Sequence, residues 1–139
     1  MGYRRIGDII VVRLPVGEEV TQSLCDIARR ERFPGAVLAA LGAVNDTTLA
    51  LYDPATREYR RTRFREDLEI ASMVGNLAWM GDEPVVHAHG VFSRVDCTTV
   101  AGHVMRAVVS VTVELMLTVL KERIERRPDE KVGLNLLDL

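Results

Sequence analysis

Only one stretch of this chain carries a helical period, and that does most to limit how it can fold. Val20, Leu24, Ile27 and Ala28 recur at i, i+4, i+7 and i+8, which makes one apolar face between Glu18 and Arg32. Glu18 and Glu19 at its start and Arg29, Arg30 and Arg32 at its end suit the helix dipole. Pro34-Gly35 is expected to stop it. The remaining apolar segments read as strands. Tyr3 to Leu14 is the first, with β-branched bulk from Ile9 and Val11. Ala36 to Val44 is a short apolar run, Thr47 to Tyr52 alternates, and Asp53-Pro54 is a turn signal. Glu58 to Phe64, Leu68 to Val74 and Val85 to Ser93 follow. Gly75-Asn76 reads as a turn in which glycine supplies a positive φ. Val104 to Leu120 is long enough to require a bend or bulge. Lys121 to Lys131 is charged, with Pro128 ending its local structure, and Gly133 to Leu139 adds a short last strand. One amphipathic helix among many strands predicts an α+β domain: a mostly antiparallel mixed β-sheet with one main α-helix.

At 139 residues the chain suits one domain over 1–139, large enough for a core without staples. Its 18 basic and 20 acidic residues leave a formal net charge of −2, which counts against a polyanionic partner. Cys25 and Cys97 are too few for a disulfide framework and fit a reducing compartment, so the cytoplasm is expected. Ile9 to Val12 is too short for a signal peptide. Ala107 to Leu120, interrupted by Ser110, Thr112 and Glu114, falls short of the roughly 18 residues of a spanning helix, so no membrane role is expected.

The three histidines all fall between positions 87 and 103. His87-Ala88-His89 lies in an apolar segment that reads as a strand. Residues two apart on a strand share a face about 7 Å apart, close enough for two imidazoles to reach one ion. A helix would send them about 200° apart. A polar hairpin turn centred near Asp96 would set His89 opposite His103, on one face at roughly 5 Å between β-carbons. A one-residue slip would turn His103 away, and Gly102 permits a bulge. Three imidazoles with a fourth position open form the arrangement of catalytic zinc sites. Two other scaffolds for such a pair fail. A metal-dependent amidohydrolase barrel needs about 250 residues, and a cupin would place a glutamate where this chain has Ser93 and Arg94.

Read together, Arg13-Leu14, Gly17-Glu18, Leu41-Gly42-Ala43-Val44, Leu51-Tyr52-Asp53, Tyr59, Leu68 to Asn76, Val86-His87-Ala88-His89, Ala101-Gly102-His103 and Thr112-Val113-Glu114 resemble the PPC domain. This is the plants-and-prokaryotes-conserved family, also known as a domain of unknown function. The resemblance runs nearly the whole length. It implies a compact domain assembling as a homotrimer, with a metal site at His87, His89 and His103. It also implies a fold similar to acetolactate decarboxylase, a metal enzyme with a comparable histidine set. Plant relatives carry AT-hook segments, but this chain has no Arg-Gly-Arg-Pro hook. It departs from the family at Ala101, where glycine is usual, and at Cys97-Thr98, where a glycine is common.

Other residues divide between structural and functional readings. Glu114 is either an end-of-strand or interface charge, or an acid/base or imidazole partner. Asn76 is a turn residue or a ligand-binding amide. Arg57, Arg60, Arg61, Arg63 and Arg65 form the one basic cluster, read as a solvated strand edge against the alternative of an anion or nucleic-acid patch. Cys97 is a free thiol unless it approaches the metal, and Trp79 and Met80 are expected in the core or at a subunit interface. Two functional classes follow. One is an enzyme, a hydrolase or lyase, that uses Zn2+ or another divalent transition metal on a small carbonyl-containing substrate. The other is a non-catalytic DNA-binding or protein-assembly module.

Overall fold

The computed structural model describes residues 1–139. The element order is β1 (Gly2–Ile6), β2 (Ile9–Pro15), α1 (Val20–Glu31), β3 (Ala36–Asp53), β4 (Glu58–Phe64), β5 (Leu68–Met80), β6 (Glu83–Ser93), β7 (Thr99–Val119), β8 (Glu125–Asp129) and β9 (Leu134–Asp138). All strand pairings are antiparallel except β5 with β8, which meet in parallel at Trp79 and Glu125. The fold is therefore α+β with one helix and a mixed sheet, as the sequence implies. β3 pairs with β5, β5 with β6, β6 with β7, and β7 with β3 again. That closed circuit encloses much of the core, including Leu38, Val44, Met73, Phe92, Val104 and Leu115.

Helix α1 buries Val20, Leu24, Ile27 and Ala28, the apolar face that its period marks, and adds Ser23. Each large side chain so buried contributes about 1.5–3 kcal/mol. The helix ends differ in detail from the sequence reading. Glu19 is the N-cap rather than a first-turn residue, accepting from Gln22 N at 2.7 Å, and no acid lies in the first turn. The helix stops at Arg32, in the left-handed region at φ 49°, ahead of Pro34.

Several strand boundaries are also corrected. Tyr3 to Leu14 is a hairpin, not one strand: Gly7, at φ 59°, makes a two-residue turn that pairs Ile6 with Ile9. Ala36 to Asp53 is one continuous strand, kinked by register shifts. The expected irregularity in the long strand β7 is present, opposite Thr48 and Leu49 of β3 among other places. Gly75-Asn76 is not a turn. Both lie inside β5, opposite Ala88 and His87. A β-carbon on Gly75 would meet the His87 carbonyl oxygen and the Ala88 Cα, so glycine is required there for close approach of β6. Pro128 does not end local structure either. It sits inside β8, whose only ladder partners are β9 and the single bridge to β5. No helix is long and apolar enough to cross a membrane.

Candidate metal centre

Strand β6 presents His87 and His89 on one face, and the β6–β7 hairpin brings in the third histidine. His89 pairs directly with His103, and Ser93 with Thr99, the register that a turn centred on Asp96 imposes. Asp96 holds that turn, accepting from Thr98 N at 3.0 Å and from Thr98 Oγ1 at 2.7 Å. Cys97 takes the left-handed position there at φ 64°, which explains why a glycine suits this place. Gly102 introduces no bulge between β6 and β7. Ala101, the other departure, is exposed.

The three rings stand 5.1–5.4 Å apart by centroid. One ring nitrogen from each lies within 4.8 Å of the others, so His87, His89 and His103 form a group able to hold a divalent metal ion. Imidazole nitrogens bound tetrahedrally at about 2.0–2.1 Å to one ion stand roughly 3.3–3.4 Å apart. His87 Nε2 and His89 Nε2 are 3.3 Å apart. His103 Nδ1 is buried with no hydrogen-bond partner, a lone pair or N–H with nothing in the chain to meet it. Burial, then the charges of His87, His89 and Arg126, pushes the His103 imidazole down to about 4. Burial, then Arg126 and His89, also lowers His87. Both rings are thus neutral near pH 7, the form that ligates metal. The donor set and spacing fit a first-row divalent ion.

A second layer comes from distant segments. Asn76 lies opposite His87 in the β5–β6 ladder, and its Oδ1 accepts from Arg126 Nη2 at 2.8 Å. Arg126, on β8, is 7% exposed and brings Nη2 to 3.3 Å from His87 Nδ1. Tyr59 stacks at 5.1 Å from the His103 ring. Arg126 escaped the sequence reading. In the run Glu125-Arg126-Arg127 it carries no local signal that separates it from solvated charge.

The other candidates lie elsewhere. Glu114 is exposed, far along β7 from His103, with Arg13 and Leu41 opposite it. Cys97 is at the hairpin tip, beyond the last ladder pair Ser93–Thr99, which is itself roughly 13 Å from the His89–His103 pair, and it is not among the grouped ligands. Trp79 is in the core, donating Nε1–H to Phe33 O at 3.0 Å, whereas Met80 is 41% exposed. In the arginine cluster, Arg63 makes two 2.7 Å bonds to Asp46, which Arg106 also reaches, and Arg60 pairs with Asp53. The Arg63 bonds, ahead of those from Arg106, hold the Asp46 carboxyl down to about 2. Asp46 and Asp53 thus pair with two of the five, and Arg57, Arg61 and Arg65 make no ion pair. Glu66, near the cluster in sequence, pairs with Arg94 instead.

Fold and site together define an α+β protein with a three-histidine, metal-competent centre on a β-hairpin. The model of the Plants and Prokaryotes Conserved (PCC) domain matches residues 1–121, and the chain belongs to that family. Solved structures agree. A candidate DNA-binding protein from Bacteroides thetaiotaomicron is 28% identical, with a TM-score of 0.95 over 99% of this chain and 96% of that one. A metal-containing protein from Archaeoglobus fulgidus is 27% identical, with a TM-score of 0.86 over 98% and 97%. A plant- and prokaryote-conserved protein from Pyrococcus horikoshii has the same fold at 24% identity, with a TM-score of 0.87 over 99% and 94%. No curated protein matches the chain.

Proposed function

We propose that this protein is a homotrimeric metal-binding enzyme, one domain over 1–139, that holds one zinc ion per chain at His87, His89 and His103. The observation that carries the reading is the convergence of three ring nitrogens, two of them neutral at pH 7 by burial, beside a cavity. A structural zinc normally takes four protein ligands, whereas three leave a position for chemistry. The metal-containing Archaeoglobus relative supports the same reading. Bound zinc would supply Lewis acidity, suiting a hydrolase or lyase acting on a small carbonyl compound. Likeness to acetolactate decarboxylase belongs to this proposal. Asn76 is the better placed of the two catalytic candidates, because it fixes Arg126 beside His87. Glu114 faces the outer groove described next and is assigned to the subunit interface. Elemental analysis of protein purified without added metal tests the reading. About one equivalent of zinc per chain is expected, and protein that neither carries nor takes up a divalent ion overturns it.

Support for assembly comes from the outer sheet face. Val37, Leu41, Val74 and Met116 are each more than half exposed. Several of them line an apolar groove of about 550 Å3 with Val11, Ala39 and Glu114. A contiguous patch of this kind suits burial against another copy. Light scattering at micromolar concentrations is expected to give the mass of three chains. A monomer across that range would remove the trimer.

The second reading, a non-catalytic DNA-binding or assembly module, draws on the name of the Bacteroides relative. Asp46 and Asp53 hold Arg60, Arg63 and Arg106, while Arg57, Arg61 and Arg65 make no ion pair, so what counts against phosphate binding is the net charge of −2. Duplex and A·T-rich probes are expected to associate weakly at low salt and to dissociate near physiological salt. Each phosphate contact costs about 0.9 log units per tenfold salt. Sub-micromolar binding at physiological salt, lost in Arg61→Glu and Arg63→Glu, would put this reading first.

A further inference from the structure

Arg126 is a buried charge beside the histidine centre, and nothing in the chain neutralises it. The residue is 7% exposed. Nη1 donates to Asn135 O and Nη2 to Asn76 Oδ1, each at 2.8 Å, and both acceptors are neutral. Nε is buried with no acceptor. Of the acids in the β8–β9 hairpin, Glu125 pairs with Arg123, Asp138 with Arg127 and Asp129 with the Lys131 and Val132 amides, while Glu130 is exposed in the turn and makes no ion pair. A buried lysine or carboxyl can shed its charge, but a guanidinium stays protonated. A buried ion without a counter-ion is costly. This one is kept at the wall of a cavity.

That cavity, of about 230 Å3, is lined by Tyr59, His87, His103, Arg126, Leu134 and Leu136 among others, with no acidic residue in its wall. It is smaller than the roughly 300–1,000 Å3 of drug-sized sites, so its occupant has few carbon atoms. Leucine and valine walls suit a short carbon skeleton, which a phosphate lacks. The histidine tautomer adds a second reason. If His87 gives Nε2 to the ion, its Nδ1 bears hydrogen, and Arg126 Nη2 stands 3.3 Å away bearing hydrogens as well. Two facing donors call for an acceptor. The geometry points to Arg126 as the anchor for the carboxylate of a small organic acid, whose other end lies against the three-histidine centre. The placement of that other end and the facing-donor argument rest on the metal reading above; the buried, unpaired charge of Arg126 and its orphan Nε do not.

Thermal unfolding of the whole protein, metal-loaded and chelator-stripped, tests this with pyruvate and its neutral amide, pyruvamide, at constant ionic strength. Pyruvate should raise the midpoint of both forms, with pyruvamide binding about tenfold or more weakly. Arg126→Met should abolish the pyruvate shift and Arg126→Lys should keep part of it, while both retain wild-type metal content. Should Arg126→Met fail to fold, Arg126→Lys and the wild-type comparison of acid with amide read the same charge. Equal shifts from acid and amide, a pyruvate shift that survives Arg126→Met, or no effect of pyruvate on the wild type would each overturn the proposal. The last is the result if a carboxylate from a second copy of the chain already covers Arg126. Failure of the metal reading is separate: the protein would take up no ion, while pyruvate still stabilised the stripped form.

Discussion

His87→Ala and His89→Ala are each expected to reduce bound metal from about one equivalent per chain to a trace, with the fold intact. Two imidazoles remain in each variant, too few to compete with water and buffer for a divalent ion. The fold should persist because neither ring belongs to the buried core. Strand β6 is held by its ladders to β5 and β7, whose backbone bonds do not depend on these side chains. Truncation of such partly exposed groups costs little stability by itself. Metal at a thousandfold excess over its dissociation constant should stabilise the wild type by about 4 kcal/mol and the variants by almost nothing. The measurement is metal content by elemental analysis, paired with unfolding curves with and without added zinc. Full metal retention in both variants would remove the site assignment.

Gly75→Ala should be among the most damaging single substitutions outside the core. The added carbon would collide with backbone, the His87 carbonyl oxygen and the Ala88 Cα, rather than with a side chain that can swing away. Relief requires β5 and β6 to separate where Asn76 and His87 face each other. A destabilisation of at least about 3 kcal/mol is expected, lowering the unfolding midpoint by roughly 10 °C. Metal affinity should fall with it, because His87 moves with the strand. Gly2→Ala is the control: no atom lies within 4 Å of its new carbon, and its midpoint should not change. A Gly75→Ala protein with wild-type stability would show that the two strands are not held this close.

Much of this was legible in the sequence, for reasons particular residues make clear. Val20, Leu24, Ile27 and Ala28 mark a helix because a helical face is written in residues three and four apart. His87 and His89 share a face because the strand period is two. A turn at Asp96 then sets His89 against His103, so three metal-competent side chains follow from one hairpin. Gly7-Asp8 is likewise a two-residue hairpin signal, and it divides Tyr3 to Leu14 into two strands. Each of these is a short-range property, encoded by neighbours along the chain.

What the sequence by itself determined is therefore the α+β class, the single helix and the histidine triad. It also carried the family membership, through motifs whose order and spacing survive as text. Only the tertiary structure decided that Gly75 is a point of close approach instead of a turn, and that Glu114 lies on the outer face. It also decided that Arg126 sits buried beside His87. These depend on which distant strands meet. Arg126 reaches His87, 39 positions away, only because β8 runs alongside β5 at Trp79 and Glu125. No local period records such a meeting, since the free energy that selects it comes from burying surfaces drawn from the whole chain.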